Sequence, residues 1–213
     1  MQIEHFEDKP KLLASLAARE ARMKQLHEPH IAPLTVFVEK LRCEKGAGYE
    51  IPNFDPWDGG TAAEVLFLFE APGPQAKGSG FISRNNPDPS ANNFFEFNRQ
   101  IGICRKRTIS WNIVPWYIGI DGGSRIRPAT SEDIETGVLS LNSLLDLLPK
   151  LRGIALFGKK AQRGSSHIKK LRPHVRQFEA PHPSLQAINS NPANKIKILN
   201  MLKEIAIFLD APQ

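Results

Sequence analysis

Four short, mostly apolar runs alternate with longer amphipathic segments along the chain. Each run is soon followed by a glycine or a proline, and short apolar runs with such boundaries are typical of buried strands in a parallel sheet. The predicted strands are Val65–Phe69, Thr108–Asn112, Gly153–Phe157 and Val175–Phe178.

Between these runs, apolar residues recur every three or four positions, which predicts helices. The predicted helices are residues 8–27, a second helix with Leu34, Phe37, Val38 and Leu41, a short one around Phe94–Ile101, one capped by Thr130 with Asp133 and running to Leu148, a basic one from Lys159, and Ala193–Leu209. Strands that alternate with helices predict an α/β fold, a three-layer α/β/α arrangement with a central, mostly parallel four-stranded sheet. We expect a single domain over residues 1–213, with residues 1–45 as a helical N-terminal extension packed on it.

The first predicted strand is followed by Glu70-Ala71-Pro72-Gly73-Pro74, in which two prolines and a glycine predict a turn that is neither strand nor helix. A loop at Lys77–Gly80 then leads to the aromatic Phe81. A carboxylate, a rigid turn and an aromatic at the carboxyl end of a central strand match the usual place of active sites in open α/β sheets. An ordinary turn after a core strand is the alternative.

The other strand ends also carry distinctive residues: Asn112 ends the second strand, Gly158 follows the third, and His182 follows the fourth. Because the ends of parallel strands share one sheet edge, a carboxylate, an amide, an imidazole and the aromatic Phe81 are predicted to meet in one cleft. The grouping suggests a pocket for a base more than a hydrolase triad. The sequence has no G-x-S-x-G elbow, P-loop, or G-x-G-x-x-G with an acidic partner.

Composition changes this picture only slightly. Apolar residues make up 41% and charged residues 23% of the chain, as in ordinary globular proteins. The net charge of +6 favours a polyanionic partner. Basic residues cluster at 105–107, 159–163 and 169–172, although a solvated helix end or loop is the favoured interpretation of each cluster taken by itself. A glycine-rich loop is predicted at 121–124.

The cysteine pattern narrows the class of protein further. Cys43 and Cys104 lie far apart without a C-x-x-C motif, which argues against a disulfide framework, a thiolate-ligated zinc ion and a four-cysteine iron–sulfur cluster. No apolar stretch has the length of a membrane span, and the first ten residues lack a signal-peptide core, so we expect a cytoplasmic protein with no membrane partner.

Taken together, four features in this order resemble the uracil-DNA glycosylase superfamily. They are E-A-P-G at 70–73 after an apolar strand, the later lone aromatic Phe81, Asn112 at the end of the next strand, and H-P-S at 182–184. The pattern is most similar to the prokaryotic class called family four. The likeness covers roughly residues 60–190 and includes Arg125–Pro128 with Glu132, although the Arg-to-Pro spacing differs from that of the family.

The resemblance implies a role for each residue of a base pocket. Phe81 would stack on a flipped base, with a core position as its alternative. Asn112 would accept from N3–H and donate to O4 of uracil, or else cap a turn. His182 would donate to the uracil O2, where negative charge develops as the base leaves. Ala71 and Gly73 would form part of the base-binding wall.

The resemblance also implies contacts to DNA. Ser184 would hold a phosphate, and Leu185 would wedge into the gap left by the flipped nucleotide, with ordinary packing as its alternative. Lys159, Lys160 and Arg163, at the start of the basic helix, would suit DNA phosphates.

Some positions depart from the superfamily's pattern. Ala71 and Gly73 stand where the best-studied class has a water-positioning Asp and a thymine-excluding Tyr, and Phe69 replaces a glycine. We therefore hypothesise that Glu70 orients the water or contacts the base, with the alternative that it pins its loop. Family four has four cluster-binding cysteines, so this chain is similar to a cluster-free relative, for which no cofactor and no metal are expected.

The implied function is that of a monofunctional glycosylase, which hydrolyses the N-glycosidic bond of uracil in DNA, leaves an abasic site and so starts base excision repair. Its expected partner is uracil-containing DNA, and we expect a monomer associated with the nucleoid. Alternatives are a glycosylase with broader deaminated-base specificity, a catalytically silent protein that binds uracil or abasic sites, and an α/β nucleotide-binding protein without affinity for DNA.

Overall fold

The structure is a computed structural model that describes residues 6–120 and 125–211. The described strands are β1 (Asn53–Phe54), β2 (Val65–Phe69), β3 (Phe81–Ile82), β4 (Thr108–Asn112), β5 (Gly119–Ile120), β6 (Arg125–Ile126), β7 (Gly153–Phe157) and β8 (Arg176–Ala180). The described α-helices are α1 (Leu16–Met23), α2 (Ala32–Lys45), α3 (Pro74–Ser79), α4 (Pro89–Ile101), α5 (Ser131–Asp146), α6 (Gly158–Gln162), α7 (Ser165–Leu171), α8 (Leu185–Ser190) and α9 (Ala193–Asp210). The glycine-rich loop predicted at 121–124 lies outside the described residues.

Four parallel strands form the central sheet, in the spatial order β4-β2-β7-β8. The register pairs Phe69 with Asn112 and Phe157 with Ala180, so the carboxyl ends of all four strands lie at one level. This sheet confirms the predicted fold class.

Helices cover both faces of the sheet because alternate residues of each strand point to opposite sides. Leu66 and Leu68 of β2 join an apolar cluster with α2 and α5, whereas Val65 and Phe67 join a second cluster with α4 and α9. The two clusters form the interfaces of the three-layer arrangement.

Three strand predictions match the structure residue for residue, and the fourth strand lies slightly later, at Arg176–Ala180. The Thr130 cap is also confirmed, because Thr130 and Asp133 form a reciprocal capping box at the start of α5. The local sequence pattern therefore predicted the strands of the central sheet and the start of α5.

Several local predictions were wrong. Within the segment expected to be a turn and a loop, Pro74 starts the helix α3, because proline fits the first helical turn, where no donor is needed. Helix α4 begins at Pro89, earlier than expected, with the Asp88 carboxylate accepting from the backbone of its first turn. Residues 8–27 contain only a short 3-10 turn and α1, in which Leu16 is exposed.

The described part of residues 1–45 packs against the body through a buried ionic cluster. This ionic cluster consists of Asp8, Arg22, Asp55, Asp58 and Arg105. Arg105 contacts all three of the carboxylates, and Arg22 contacts Asp55. The N-terminal helices are thus tied by charge to the segment just before β2. Among the described residues, no helix is long and apolar enough to cross a membrane.

Candidate active site

A cavity of about 580 Å³ opens at the carboxyl edge of the central sheet. Its lining includes Glu70 after β2, Asn112 at the end of β4, and His182 after β8. The opposite wall comes from the chain that follows β3 and from the start of α4. The structure thus brings the three predicted strand-end groups together in one place, as the parallel register requires.

Asn112 is 4% exposed, and its side-chain amide faces the cavity without a hydrogen bond to any described residue. The backbone beside it is firmly held, because the Ile113 N–H donates to the Phe69 carbonyl over 2.8 Å. A buried amide without protein partners on a rigid strand end has its donor and acceptor free for a ligand. This is the arrangement that reading a base edge requires.

One carboxylate oxygen of Glu70 accepts a hydrogen bond from the protein, whereas the other is available to a ligand. Its Oε1 accepts from the Ala129 N–H over 2.8 Å, and its Oε2 has no partner among the described residues. The carbonyl of Ala129 in turn accepts from Lys160 Nζ over 2.5 Å. Glu70 therefore both pins its loop and presents a free acceptor to the cavity.

His182 is held in one tautomer by its own loop. Its Nδ1 accepts from the Ser184 N–H over 3.2 Å, so the neutral ring carries its proton on Nε2. Burial lowers the pKa of His182 to about 4, which keeps the imidazole neutral at pH 7. The ring packs edge-on against Phe69, and Gly158 approaches the His182 Cβ so closely that a side chain there would crowd it. A fixed, neutral N–H donor results.

Ala71 and Gly73 both line the cavity, as the resemblance implied. Gly73 precedes α3 as its cap, and a Cβ added to it would meet nothing within 4 Å. This side of the cavity is therefore open rather than closed by a side chain.

Phe81 does not reach the cavity, so its predicted place against a flipped base needs correction. It is 0% exposed and packs with Leu13 and Leu26 under the N-terminal helices. The next residue, Ile82, lines the cavity instead, because adjacent residues of an extended strand point to opposite sides. The alternative core position of Phe81 is the observed one.

Aromatic rings do occur in the cavity wall, at Phe69 and Phe94. Phe69 stacks on Phe157 with ring centroids 4.8 Å apart and meets Phe94 edge-on. The place of Phe69 in the wall depends on its packing against Phe94 and Phe157 from other elements, so the local sequence shows only that Phe69 replaces a glycine.

The predicted DNA contacts divide into two groups. Ser184 lines the cavity and caps α8, and Leu185 beside it is 47% exposed at the cavity rim. In contrast, Lys160 is bound to the Ala129 carbonyl, and Arg163 donates to the Ser131 hydroxyl. Lys159 alone of these three cations is exposed with no bond to the described residues.

Several further polar residues of the wall were not predicted from the sequence, among them Arg84 and Ser110. Ser110 lies two residues before Asn112 on the same face of β4, so the alternation of T-I-S-W-N could have located it. Arg84 follows β3, and nothing in the local pattern shows that its long side chain is buried.

Neither cysteine lies in this region, since Cys43 and Cys104 are both exposed and free. Within residues 6–120 and 125–211, no group of three or more His, Cys, Asp or Glu side chains could hold a metal ion.

Comparison with known proteins agrees with this geometry. The fold matches the crystal structure of wild-type SMUG2 of Pedobacter heparinus with a TM-score of 0.52 and 13% sequence identity, over 86% of this chain and 87% of that one. A search of curated proteins finds no match. The family model for the uracil DNA glycosylase superfamily matches residues 56–203, which is well over half of the chain and contains every strand end of the cavity. The chain therefore belongs to the uracil DNA glycosylase superfamily.

Proposed function

We propose that this DNA glycosylase flips uracil out of DNA and hydrolyses its N-glycosidic bond, leaving an abasic site. The observation that carries the proposal is the Asn112 amide, which is buried in the cavity wall with no hydrogen-bond partner among the described residues. Its carbonyl accepts from N3–H of uracil and its NH₂ donates to O4. Cytosine presents the reverse pattern and leaves buried groups unpaired, which discriminates strongly.

The residues around Asn112 suit the bond-breaking step. When the bond between C1′ and N1 breaks, its electron pair stays on the base and positive charge develops on the sugar. His182 donates its Nε2–H to O2 as that oxygen gains charge, and its tautomer is set by Ser184. The free Oε2 of Glu70 accepts a proton of the water whose oxygen bonds to C1′.

The rim of the cavity suits DNA. Leu185 exposes an apolar side chain beside the Ser184 hydroxyl, in a position suited to fill the gap that a flipped nucleotide leaves. The net charge of +6 supports association with a polyanion. We propose that the protein acts as a monomer, without metal, on DNA in the cytoplasm.

One observation favours a second candidate function, in which the glycosylase removes a wider range of bases. A Cβ added to Gly73 would meet empty space, so no side chain closes that part of the wall against a larger base. On this proposal, uracil is the preferred base and thymine in mismatches or hypoxanthine is removed more slowly.

One experiment separates the enzyme from a silent binding protein. The purified protein is incubated, in the presence of a metal chelator, with single- and double-stranded oligonucleotides that contain one uracil, and abasic sites are then cleaved with alkali. We expect strand breaks with the native protein and a loss of about 100-fold in His182→Ala.

The matched control is His174→Ala, which removes an exposed histidine outside the cavity and should keep the native rate. Tight, uracil-dependent binding without strand breaks would contradict the proposed glycosylase activity and support the catalytically silent binding protein. Strand breaks at hypoxanthine or mismatched thymine would support the wider base range.

A further inference from the structure

The segment around His182 has few backbone donors with which to hold itself in place. His182 stands between Pro181 and Pro183, and proline has no backbone N–H to donate. The strand β8 ends just before this segment, at Ala180. The Ser184 N–H that follows donates to the His182 ring rather than to a neighbouring strand. The position of the imidazole therefore depends on contacts that come from outside the segment.

Two side-chain amides bind the backbone carbonyl groups on either side of His182. Asn93 Nδ2, from α4, donates to the Pro183 carbonyl over 2.9 Å. Gln162 Nε2, from α6, donates to the Ala180 carbonyl over 3.1 Å. Asn93 and Gln162 together form an amide clamp, with one donor after the imidazole and one before it.

The helices that carry the amide clamp are both joined to the central sheet. Phe94, next to Asn93 on α4, is 3% exposed and packs edge-on against Phe157 at the end of β7. Helix α6 begins at Gly158, directly after β7, and brings Gln162 back over the end of β8. The amide clamp therefore holds the His182 segment in a fixed place relative to the strand ends.

The imidazole itself is bounded by two further contacts. Its ring meets Phe69 edge-on, with the ring centroids 5.9 Å apart. A Cβ added to Gly158 would lie 3.2 Å from the His182 Cβ, so the backbone of Gly158 lies close against the other side. Burial lowers the pKa of His182 to about 4, and a ring that moved toward water would regain a higher pKa. The pKa of His182 thus reports on its position.

We propose that Asn93 and Gln162 are positioning residues that act through His182, which rests on the function proposed above. In that reaction, the Nε2–H of His182 donates to the uracil O2 as the bond between C1′ and N1 breaks and its electron pair stays on the base. The donor stabilises that charge only where it develops, and a displacement of about 1 Å can cost about 100-fold in rate. Neither amide lines the cavity, so each acts by fixing a carbonyl beside His182 before the base enters.

The test removes each amide donor while keeping most of the volume of its side chain. Asn93→Leu and Gln162→Met can no longer donate to the carbonyl groups beside His182. We expect the single-turnover rate of uracil release to fall about tenfold in Asn93→Leu and about fivefold in Gln162→Met, since each leaves the other half of the amide clamp in place.

The matched controls are Asn92→Leu and Gln100→Met on α4. Both replace an amide side chain that lies outside the cavity and makes no hydrogen bond to the described residues. Both should keep the native rate, because the loss of an unbonded amide leaves the carbonyl groups beside His182 in place.

The main comparison repeats each clamp substitution in a His182→Ala protein. With no imidazole left to position, Asn93→Leu and Gln162→Met should each change the remaining rate by less than about twofold. A purely structural effect would lower the rate by the same factor in both backgrounds, and that result would overturn the proposal. If one variant does not fold, the other carries the same comparison, since the two amides lie on different helices.

A second measurement does not depend on catalysis. The ring-proton chemical shifts of His182 are followed over a pH series, and the pKa of His182 should rise from about 4 toward 6.5 in Asn93→Leu but not in Asn92→Leu. An unchanged pKa in both Asn93→Leu and Gln162→Met would overturn the proposal. If the native protein releases no uracil, the proposed function fails, and this titration still decides whether the amide clamp positions His182.

Discussion

Two buried polar regions lie close together in this protein, and they differ in how fully their groups are bonded. In the ionic cluster, the Asp55 carboxylate is contacted by Arg22, by Arg105, by the Ser83 hydroxyl and by a backbone N–H. In the cavity, Asn112 has no partner among the described residues. The Asp55 carboxylate is thus closed by the protein itself, although Nε and Nη2 of Arg22 beside it are buried without a partner, whereas the Asn112 amide is left open.

The difference distinguishes polar groups that stabilise the fold from polar groups that are available to bind a ligand. Burial would raise the pKa of Asp55, but the charges of Arg105 and Arg22 outweigh it and hold that pKa well below its usual range. No such compensation exists for the amide of Asn112, so its hydrogen bonds must come from water or substrate. The number of hydrogen bonds that each group receives from the protein, rather than its burial, therefore distinguishes the Asp55 carboxylate from the Asn112 amide.

Changing the open region should mainly affect activity. In Asn112→Asp, the carboxylate can no longer donate to O4 of uracil, so we expect the rate of uracil release to fall by about 10⁴-fold. Cytosine release should become detectable, because its N4 amine finds an acceptor. Single-turnover assays on both bases measure this, and an unchanged preference would show that Asn112 does not read the base.

Substitutions in the ionic cluster should mainly affect stability. Asp55→Asn leaves Arg22 without a carboxylate partner among the described residues, while Arg105 keeps Asp58 and Asp8. Breaking a buried ion pair in this way costs about 3–5 kcal/mol in the free energy of unfolding. Denaturant unfolding measures the loss. The folded fraction should still release uracil within about threefold of the native rate. Native stability combined with lost activity would reverse the roles assigned to the two regions.

His182 lies in the open region yet should also link stability to pH. Its pKa is about 4 in the folded protein and about 6.5 in an unfolded chain, so between these values the unfolded chain binds more protons. The free energy of unfolding should therefore rise with pH over this window, by at most about 3 kcal/mol, and level off above it. Unfolding at pH 4.5 and 7 measures the rise, and His182→Gln should lack this part of it.

The smallest expected effects distinguish two adjacent cations at the start of α6. Lys159→Ala should reduce the slope of the logarithm of DNA affinity against the logarithm of salt concentration by about one. Lys160→Ala should leave that slope nearly unchanged and instead lower the rate several-fold, because Ala129 holds Glu70 and loses its own Lys160 contact. Titrations at several salt concentrations measure the slopes, and equal slope changes would contradict the distinction.

The prediction for Phe81 shows where sequence reasoning reached its limit. A lone aromatic after a glycine loop matched the family pattern, but the short strand β3 turns Phe81 toward Leu13 and Ile82 toward the cavity. A shift of one residue along a strand exchanges its two faces. Local pattern alone does not fix which of two adjacent residues faces inward at such a short strand.

The sequence by itself determined the bounds of β2, β4 and β7, the capping box of α5 and the convergence of Glu70, Asn112 and His182 at one sheet edge. These follow from periodicity, turn chemistry and the fixed polarity of a parallel sheet, all of which are local or topological. Only the tertiary structure decided which polar groups are saturated. The partners of Asp55 and the lack of partners at Arg84 Nε depend on contacts between segments that are distant in the sequence. A local pattern therefore does not show which hydrogen-bond donors and acceptors remain unused after folding.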